Sequence, residues 1–286
     1  MTRQLRIGGV PEHFNLPWKL AMADKVFASI GVQVEFIEHP GGTGAMTAAL
    51  RAGDLDAALM LTEGAVLDIV TGGDNRLVSV YVESPLIWGI HVSASSAIKN
   101  VADIAGRPFA ISRYGSGSHL IAIVDAAERG FDSRKMSFVV VDTIDGARTA
   151  LAAGSADVFL WERHMTQPLV DAGEFRRIGE RVVPWPAFVV SARREYLSHS
   201  ADALRRCLDI AADYAARLKR GADSAELISK TYEIDLSDAS AWLADVRWSQ
   251  DHEYPADDIH RVLTALRSQG VIPDAEVSAS ALWHAL

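Results

Sequence analysis

The stretch AALRAGDLDAALML, residues 48–61, returns later in the chain as TALAAGSADVFLWE, residues 149–162. Gly53 matches Gly154 and Asp56 matches Asp157, at a constant offset of 101 residues. Each stretch has the pattern of a helix end, a glycine stop and a short apolar strand. A repeat of this length with two copies is too long for a solenoid, so it indicates two similar α/β lobes.

The residues around each stretch repeat the same order of predicted elements. In the first copy, strand patterns at LRIGGV, VQVEFIEHP and DAALML alternate with helical patterns after PEHFN and GGTG. In the second copy, strand patterns at GRPFAIS, MSFVVVDT and ADVFLWE alternate with helical patterns after SRYGSGS and DTIDG. Both copies therefore predict strand, helix, strand, helix, strand.

The chain after the second copy defines the predicted domain organisation. VPWPAFVVSARREYL contains an apolar strand that would return to the first lobe, and only helical patterns follow Ala201. We predict lobe one at residues 1–92 plus 190–286, lobe two at 93–189, and hinge segments near 91–97 and 184–191. The predicted fold class is α/β, with two lobes that are each a mostly parallel sheet flanked by helices, and a ligand cleft between them.

Composition and charge exclude several classes of protein. The chain has 286 residues, 49% of them hydrophobic, and a formal net charge of −9, so nucleic acid is not an expected partner. No apolar run is long enough to cross a bilayer, so membrane insertion is not expected either. The start MTRQLRIGGV lacks a leader pattern, which favours a cytoplasmic location as written, and a periplasmic one only if a leader was removed. The single cysteine, Cys207, has the setting of a buried helical thiol.

Ligands of open parallel sheets bind beyond the carboxyl ends of the strands. Glycine- and serine-rich loops before helices offer backbone N–H groups, Arg113 offers a charge-assisted hydrogen bond, aromatic rings offer stacking on a planar ligand, and carboxylates accept from an amine or amide. The alternatives are ordinary turns and caps, lobe packing and solvated carboxylates. The residues predicted to contact ligand are Glu12, His13, Asn15, Gly42, Thr43, Gly44, Thr62, Glu63, Arg113, Tyr114, Ser116, Gly117, Ser118, Asp142, Trp161 and Glu162.

Known catalytic and metal-binding patterns do not occur at these loops. HExxH and His/Cys ligand spacings are missing among the nine histidines, so we expect no metal and no cofactor. Ser116 and Ser118 lack a GxSxG elbow, which argues against serine hydrolysis. His13 lies beside Glu12, and a surface or ligand-contact role is preferred over that of a base. We therefore assign no catalytic residue.

The order of elements, the GGTG loop, the ALRAGDLDAAL phrase and the return through VPWPAFVVSARREYL resemble type 2 periplasmic binding proteins of the alkanesulfonate, nitrate and thiamine-pyrimidine-related class. This resemblance implies capture of a small molecule between closing lobes, by loops matching residues 12–15, 42–44, Thr62, 112–118 and Trp161. Without a leader the chain is similar to the cytosolic relatives in fungi and bacteria, which puts a transport role in doubt. The pyrimidine-synthesising members use iron and a cysteine-rich motif, which this chain lacks.

Three functions fit these observations. The leading hypothesis is a non-catalytic binding protein whose lobes close on a planar or anionic ligand, such as a pyrimidine-like compound, a sulfonate or a carboxylate, with an ABC-type permease as partner if the chain is exported. The alternative is a cytosolic biosynthetic enzyme of the same fold, thiamine- or menaquinone-pathway-like, with Glu12, His13 or Glu162 as acid or base. A third is the sensor domain of a regulator, which would need a separate DNA-binding partner.

Overall fold

The computed structural model of the chain describes residues 3–253, 255–273 and 277–286. The strands, in chain order, are β1 (Arg3–Gly9), β2 (Val32–Glu38), β3 (Ala57–Leu61), β4 (Asn75–Val82), β5 (Ile87–Ser93), β6 (Pro108–Ile111), β7 (Ser137–Val140), β8 (Val158–Glu162), β9 (Phe175–Val182) and β10 (Phe188–Arg193). The helices are α1 (Leu16–Ala23), α2 (Thr43–Ala52), α3 (Thr62–Val70), α4 (Gly117–Glu128), α5 (Ile144–Ala153), α6 (Arg163–Asp171), α7 (Arg194–Arg220), α8 (Ser224–Tyr232), α9 (Leu236–Asp245) and α10 (Ala256–Ser268). The predicted α/β class is confirmed.

Within the described residues the strands form two five-stranded sheets of the same design. The order is β2-β1-β3-β10-β4 in the first sheet and β7-β6-β8-β5-β9 in the second. In each sheet the first three strands are parallel, and the fourth runs antiparallel to both of its neighbours. The predicted return of the apolar FVV strand is confirmed, because β10 pairs with β3 and β4.

The chain changes sheets earlier than the sequence indicates. β5 belongs to the second sheet, where it pairs with β8 and β9, so residues 83–86 lead from one sheet to the other. The predicted lobe boundary at 92 and the hinge at 91–97 instead fall at the end of β5 and just after it. The apolar pattern reveals the strand but not its partners, and backbone hydrogen bonds to β8 and β9 decide the sheet.

The structure contains two compact units. The first comprises the residues up to Ser84, Trp185–Leu263 and the C-terminal residues, and the second comprises Pro85–Pro184 and the segment that begins at Thr264. Residues 183–187 connect β9 to β10 and so lead the chain back to the first sheet. The first change of unit, after Ser84, precedes the predicted hinge at 91–97, whereas the second, after Pro184, lies within the predicted hinge at 184–191.

The repeated phrase folds in the same way in both copies. α2 ends at Gly53, with φ of +80°, and α5 ends at Gly154, with φ of +69°. This left-handed conformation costs glycine little and is a common helix stop. The next amide then bonds back into each helix, from Asp54 to the Ala49 carbonyl at 2.9 Å and from Ser155 to the Ala150 carbonyl at 3.0 Å. The phrase therefore encodes a helix stop and the entry into a central strand.

Both sheets have apolar interiors that hold the strand ends in place. Leu5, Ile7, Leu59 and Met60 of the first sheet are fully buried, and the long helix α7 adds an apolar face that includes Cys207. Each such aliphatic side chain contributes about 1.5–3 kcal/mol of burial free energy. No helix within residues 3–253, 255–273 and 277–286 is both long and apolar enough to cross a membrane.

Candidate functional site

The loop after β1 is held in an aromatic cluster of the first unit. His13 is fully buried and its ring stacks on Trp242, with centroids 4.1 Å apart and planes 14° from parallel. The carbonyl of Phe14 accepts hydrogen bonds from Tyr81 Oη at 2.6 Å and from Trp248 Nε1 at 3.0 Å. His13 therefore occupies a rigid, water-excluded position rather than an exposed one.

Two further predicted residues lie in the same loop. Asn15 is buried, and its Nδ2 donates to the Val10 carbonyl at 2.7 Å. Glu12 is largely buried, and its carbonyl accepts from the Asn15 amide at 3.0 Å. The Asn15 carboxamide thus closes the turn that follows β1.

Residues of the GGTG loop join the start of α2 to the end of β3. Gly42 precedes the helix, and Thr43 is its buried first residue, followed by Gly44. Thr43 Oγ1 accepts from the Leu61 amide at 3.1 Å. A Cβ at Gly64 would lie 2.5 Å from Thr43 Cγ2, so Gly64 is required for this close approach. The loop is therefore positioned by β3 and α3.

The start of α3 holds the returning segment of chain. Thr62 is fully buried, its amide donates to the Ala187 carbonyl at 3.2 Å, and its hydroxyl donates to the Pro186 carbonyl at 2.5 Å. Glu63 Oε2 accepts from Trp185 Nε1 at 3.0 Å. The other oxygen of Glu63 is buried without a hydrogen-bond partner among the described residues. Burial raises the pKa of Glu63 to about 7, although the Trp185 bond lowers it in part.

Three buried serines meet at the start of α4 in the second unit. Ser116 is the N-cap of the helix, and its Oγ lies 3.0 Å from Ser118 Oγ. Ser118 Oγ accepts from the Ser112 amide at 3.0 Å and lies 3.4 Å from Ser112 Oγ. Each of the two hydroxyl–hydroxyl contacts uses one hydroxyl proton, so one of the three protons stays available as a donor. We call residues 112–118 the serine-rich turn.

The serine-rich turn also carries a cation and an exposed aromatic ring. Tyr114 is 64% exposed, which is unusual for a large aromatic residue, and it follows Arg113. Its ring meets His119 edge-on at 5.2 Å, and His119 in turn meets Phe138 at 4.7 Å. His119 Nδ1 accepts from the Gly115 amide at 3.1 Å, so the neutral imidazole carries its proton on Nε2. Burial lowers the pKa of His119, which favours this neutral form.

The loop after β7 lies against the serine-rich turn. The Asp142 amide donates to the Ser112 carbonyl at 3.2 Å, and Asp142 itself is exposed with φ of +60°. Gly117 begins α4 and is buried. The structure therefore brings together Ser112, Arg113, Gly117 and Asp142 at the carboxyl ends of β6 and β7.

The end of β8 carries the remaining two predicted residues. Trp161 lies inside β8 rather than in the loop expected from the sequence, and it stacks on Phe159 with centroids 5.3 Å apart. The Trp161 side chain is half-buried and packs against the hydrophobic core of the second unit. Glu162 ends the strand, is buried, and accepts from the Met165 amide at 2.7 Å as the N-cap of α6. Burial raises the pKa of Glu162 to about 7.

Sequence reasoning missed several residues that position these groups. Trp185 binds Glu63, Trp242 stacks on His13, and His119 fixes the serine-rich turn. Trp185 was recognisable as the aromatic residue in the segment that returns to the first lobe. Trp242 had no comparable signal, because it lies far along the chain in an ordinary helical pattern.

Comparisons with known proteins agree with this architecture. Residues 88–181 match a family model described as "Ca3427-like PBP". The Candida albicans CA3427 gene product, described as defining a family with the generic periplasmic binding protein fold, aligns with a TM-score of 0.89 at 22% identity, over 98% of this chain and 96% of that chain. SsuA of Xanthomonas axonopodis pv. citri, an alkanesulfonate-binding protein bound to MOPS, aligns with a TM-score of 0.84 at 19% identity, over 99% and 98% of the two chains.

A third solved structure extends the likeness to another kind of binding protein. The periplasmic nitrate-binding protein NrtA of Synechocystis PCC 6803 aligns with a TM-score of 0.74 at 14% identity, over 98% of this chain and 85% of that chain. No curated protein matches the chain significantly by sequence. Likeness at this level of identity establishes a shared fold.

Proposed function

We propose that this chain, which has the type 2 periplasmic-binding-protein fold, is a small-molecule binding protein that recognises an anionic group at the serine-rich turn. The observation that carries the proposal is the cluster of three buried hydroxyls at the start of α4. A helix start leaves its first amides without partners inside the helix, and the helix dipole places partial positive charge there. Anions are therefore favoured at this position.

The chemistry of the turn fits a ligand with a small charged group and a planar or apolar part. The cluster of Ser112, Ser116 and Ser118 offers one hydroxyl donor that is not used within it, and Arg113 offers a guanidinium that forms charge-assisted hydrogen bonds. The exposed ring of Tyr114 offers a surface for stacking. A sulfonate, carboxylate or nitrate group satisfies these donors.

The names of the structural relatives support the same class of ligand. SsuA binds alkanesulfonate and NrtA binds nitrate, and both ligands are anions. Closure of two lobes on the ligand, expected from the sequence, belongs to this proposal, and so does a permease partner in the case of export. The biosynthetic enzyme stays an untested alternative.

Thermal shift with matched anionic and neutral compounds tests the ligand class. Ligand that binds only the folded state raises the free energy of unfolding by RT ln(1 + [L]/Kd). We expect methanesulfonate or nitrate to raise Tm, and methanesulfonamide to leave it unchanged. Equal shifts with the anion and its neutral counterpart would contradict recognition of the charge.

Two substitutions test the position of the site. Ser118→Ala and Arg113→Ala are each expected to weaken binding of the active anion about tenfold, because hydrogen bonds to charged groups are worth about 1.5–3 kcal/mol. Ser137→Ala and Arg134→Ala are the controls, since both side chains are exposed in the same unit. Calorimetry that finds equal affinities in all four variants would place the site elsewhere.

A further inference from the structure

A pocket of about 300 Å³ opens on the first unit, and none of its lining residues belongs to the serine-rich turn. It lies between the last turns of α7 and the chain that follows α9, beside the end of β4. A volume of this order suits a small organic molecule.

Apolar side chains form the floor of the pocket, and two of them are small enough to leave it open. Ala215 and Ala216 lie on α7 and leave the space open, while Val246 and Trp248 are buried walls on the other side. Trp248 Nε1 is already used in its bond to the Phe14 carbonyl, so the indole offers its apolar surface. A ligand body without polar groups would fit this floor.

The rim of the pocket is cationic. Lys219, Arg220 and Arg247 line it against one acid, Glu83, in a chain whose net charge is −9. Such a local excess of positive charge favours an anion.

The three cations are not equally available. Lys219 Nζ donates to the carbonyls of Leu243, Ala244 and Val246, which uses its three protons to close the end of α9. Arg247 is exposed and its Nε lies 4.0 Å from Glu83 Oε2, too far for a hydrogen bond. Arg220 is exposed at the end of α7. The two guanidinium groups can therefore turn toward a ligand.

We propose that this pocket is a second ligand site, which binds a small organic anion with an apolar body, such as an aromatic carboxylate. The apolar part lies on Ala215, Ala216 and Trp248, and Arg220 and Arg247 bind the carboxylate.

The bound anion would contact the segment that leads out of the first unit. The carbonyl of Arg247 accepts from the Glu83 amide at 2.8 Å, and the Arg247 amide donates to Ser84 Oγ at 3.1 Å. Ser84 in turn accepts from the Ala187 amide at 3.3 Å, on the returning segment. The pocket therefore contacts the outgoing segment through Glu83 and Arg247, and the returning segment is one hydrogen bond further away, through Ser84.

Titration with benzoate, followed by the indole N–H signal of Trp248 in an NMR spectrum, tests the proposal on the full chain. We expect saturable movement of this signal with benzoate and none with benzamide, which has the same shape without the charge. The double variant Arg220→Ala/Arg247→Ala should weaken benzoate binding about tenfold or more, since two charge-assisted bonds are lost. Ala216→Phe, which fills the floor, should abolish it.

The matched control is Arg217→Ala, which removes the same charge from the same turn of α7. Arg217 packs over the Tyr214 ring and does not line the pocket. The affinity of Arg217→Ala for benzoate should stay within about twofold of that of the parent chain. An unmoved Trp248 signal, or equal losses of affinity in Arg217→Ala and in the double variant, would overturn the proposal. Benzoate bound at the serine-rich turn would be lost in Arg113→Ala without altering the Trp248 response.

Discussion

The two copies of the repeated phrase share a backbone but differ in how their polar residues are held. Asp56 and Asp157 occupy equivalent positions, and each faces an equivalent arginine, Arg6 or Arg107. Asp56 is 7% exposed and accepts from Arg6 at 2.7 Å, whereas Asp157 is 29% exposed and lies 3.6 Å from Arg107. Arg193 on the returning strand adds a further bond to Asp56 at 3.2 Å. The aspartate therefore belongs to a buried hydrogen-bond network in the first copy and to a longer, more exposed ion pair in the second.

The copies also differ in the groups that they present beyond the strands. The first copy places a carboxyl group, Glu63, against an indole, and the second places three hydroxyls and Arg113 at a helix start. A duplicated scaffold thus keeps its helix stops and strand entries, while the loops acquire different chemistry.

The largest expected difference between the copies is in the free energy of unfolding that is lost when Asp56 or Asp157 is removed. Asp56→Ala should lower the free energy of unfolding by about 3 kcal/mol, because it leaves Arg6 and Arg193 without a buried partner. Asp157→Ala should cost less than about 1 kcal/mol, as expected for an exposed pair. Urea unfolding of both variants measures this contrast, and equal losses would show that the two positions are energetically alike.

Lowering the pH should remove the contribution of Asp56 to the free energy of unfolding. Burial alone would raise its pKa, but hydrogen bonds from Arg6 and Arg193 hold the pKa of Asp56 below its usual value. The stability from a carboxylate of lowered pKa is present above the usual value and is lost as pH falls through the folded value. The parent chain should therefore lose its advantage over Asp56→Asn as pH falls below about 4.

A smaller effect is expected from the buried glutamates, with the opposite dependence on pH. Because burial raises the pKa of Glu63 from 4.5 to about 7, the folded chain keeps a proton that the unfolded chain releases between these values. Stability falls as pH rises through this window and is level above it. Glu63→Gln should remove this loss. The free energy of unfolding of the variant relative to the parent chain should therefore be about 2 kcal/mol greater at pH 8 than at pH 5.

Glu162→Gln is the matched variant in the second copy. Its pKa is also raised to about 7 by burial, but its carboxylate caps α6 through the Met165 amide. The gain at high pH should be smaller than for Glu63→Gln, because the substitution weakens a charge-assisted cap. Unfolding at pH 5 and pH 8 gives both values, and identical pH profiles for parent chain and Glu63→Gln would contradict the account.

The smallest and most equal effects are expected at the helix stops. Gly53→Ala and Gly154→Ala should each cost about 1 kcal/mol, because alanine is disfavoured at positive φ. The two losses should agree closely, since the phrase performs the same task in both copies. A clear difference in Tm between the variants would break the equivalence of the copies.

The sequence predicted the scaffold well because its signals are local. The helix stops at Gly53 and Gly154 and the apolar strands follow from periodicity and glycine positions. The sheet of β5 was not predictable, since pairing with β8 and β9 depends on contacts far apart in sequence.

Loops were predicted less completely than strands. The position of Ser112, Ser116 and Ser118 at the start of α4 follows from the glycine-serine pattern. The stacking of His13 on Trp242 and the bond from Trp185 to Glu63 do not, because they join residues that are distant in the chain. Trp161 was expected in a loop but lies in β8, because it pairs with Gly89 of β5, a contact between residues that are distant in the chain.

The most direct test of anion recognition compares backbone amides at the start of α4 with amides in two distant turns in one titration. In a ¹⁵N-resolved NMR titration with the anion that raises Tm most, the account predicts that the amide signals of Gly117 and Ser118, in the first turn of α4, move and saturate together with the thermal shift. The Gly72 and Gly106 amides, in turns outside the strand-end loops, should stay in place and serve as internal controls. Binding of the anion without movement at Gly117 and Ser118 would contradict the central claim.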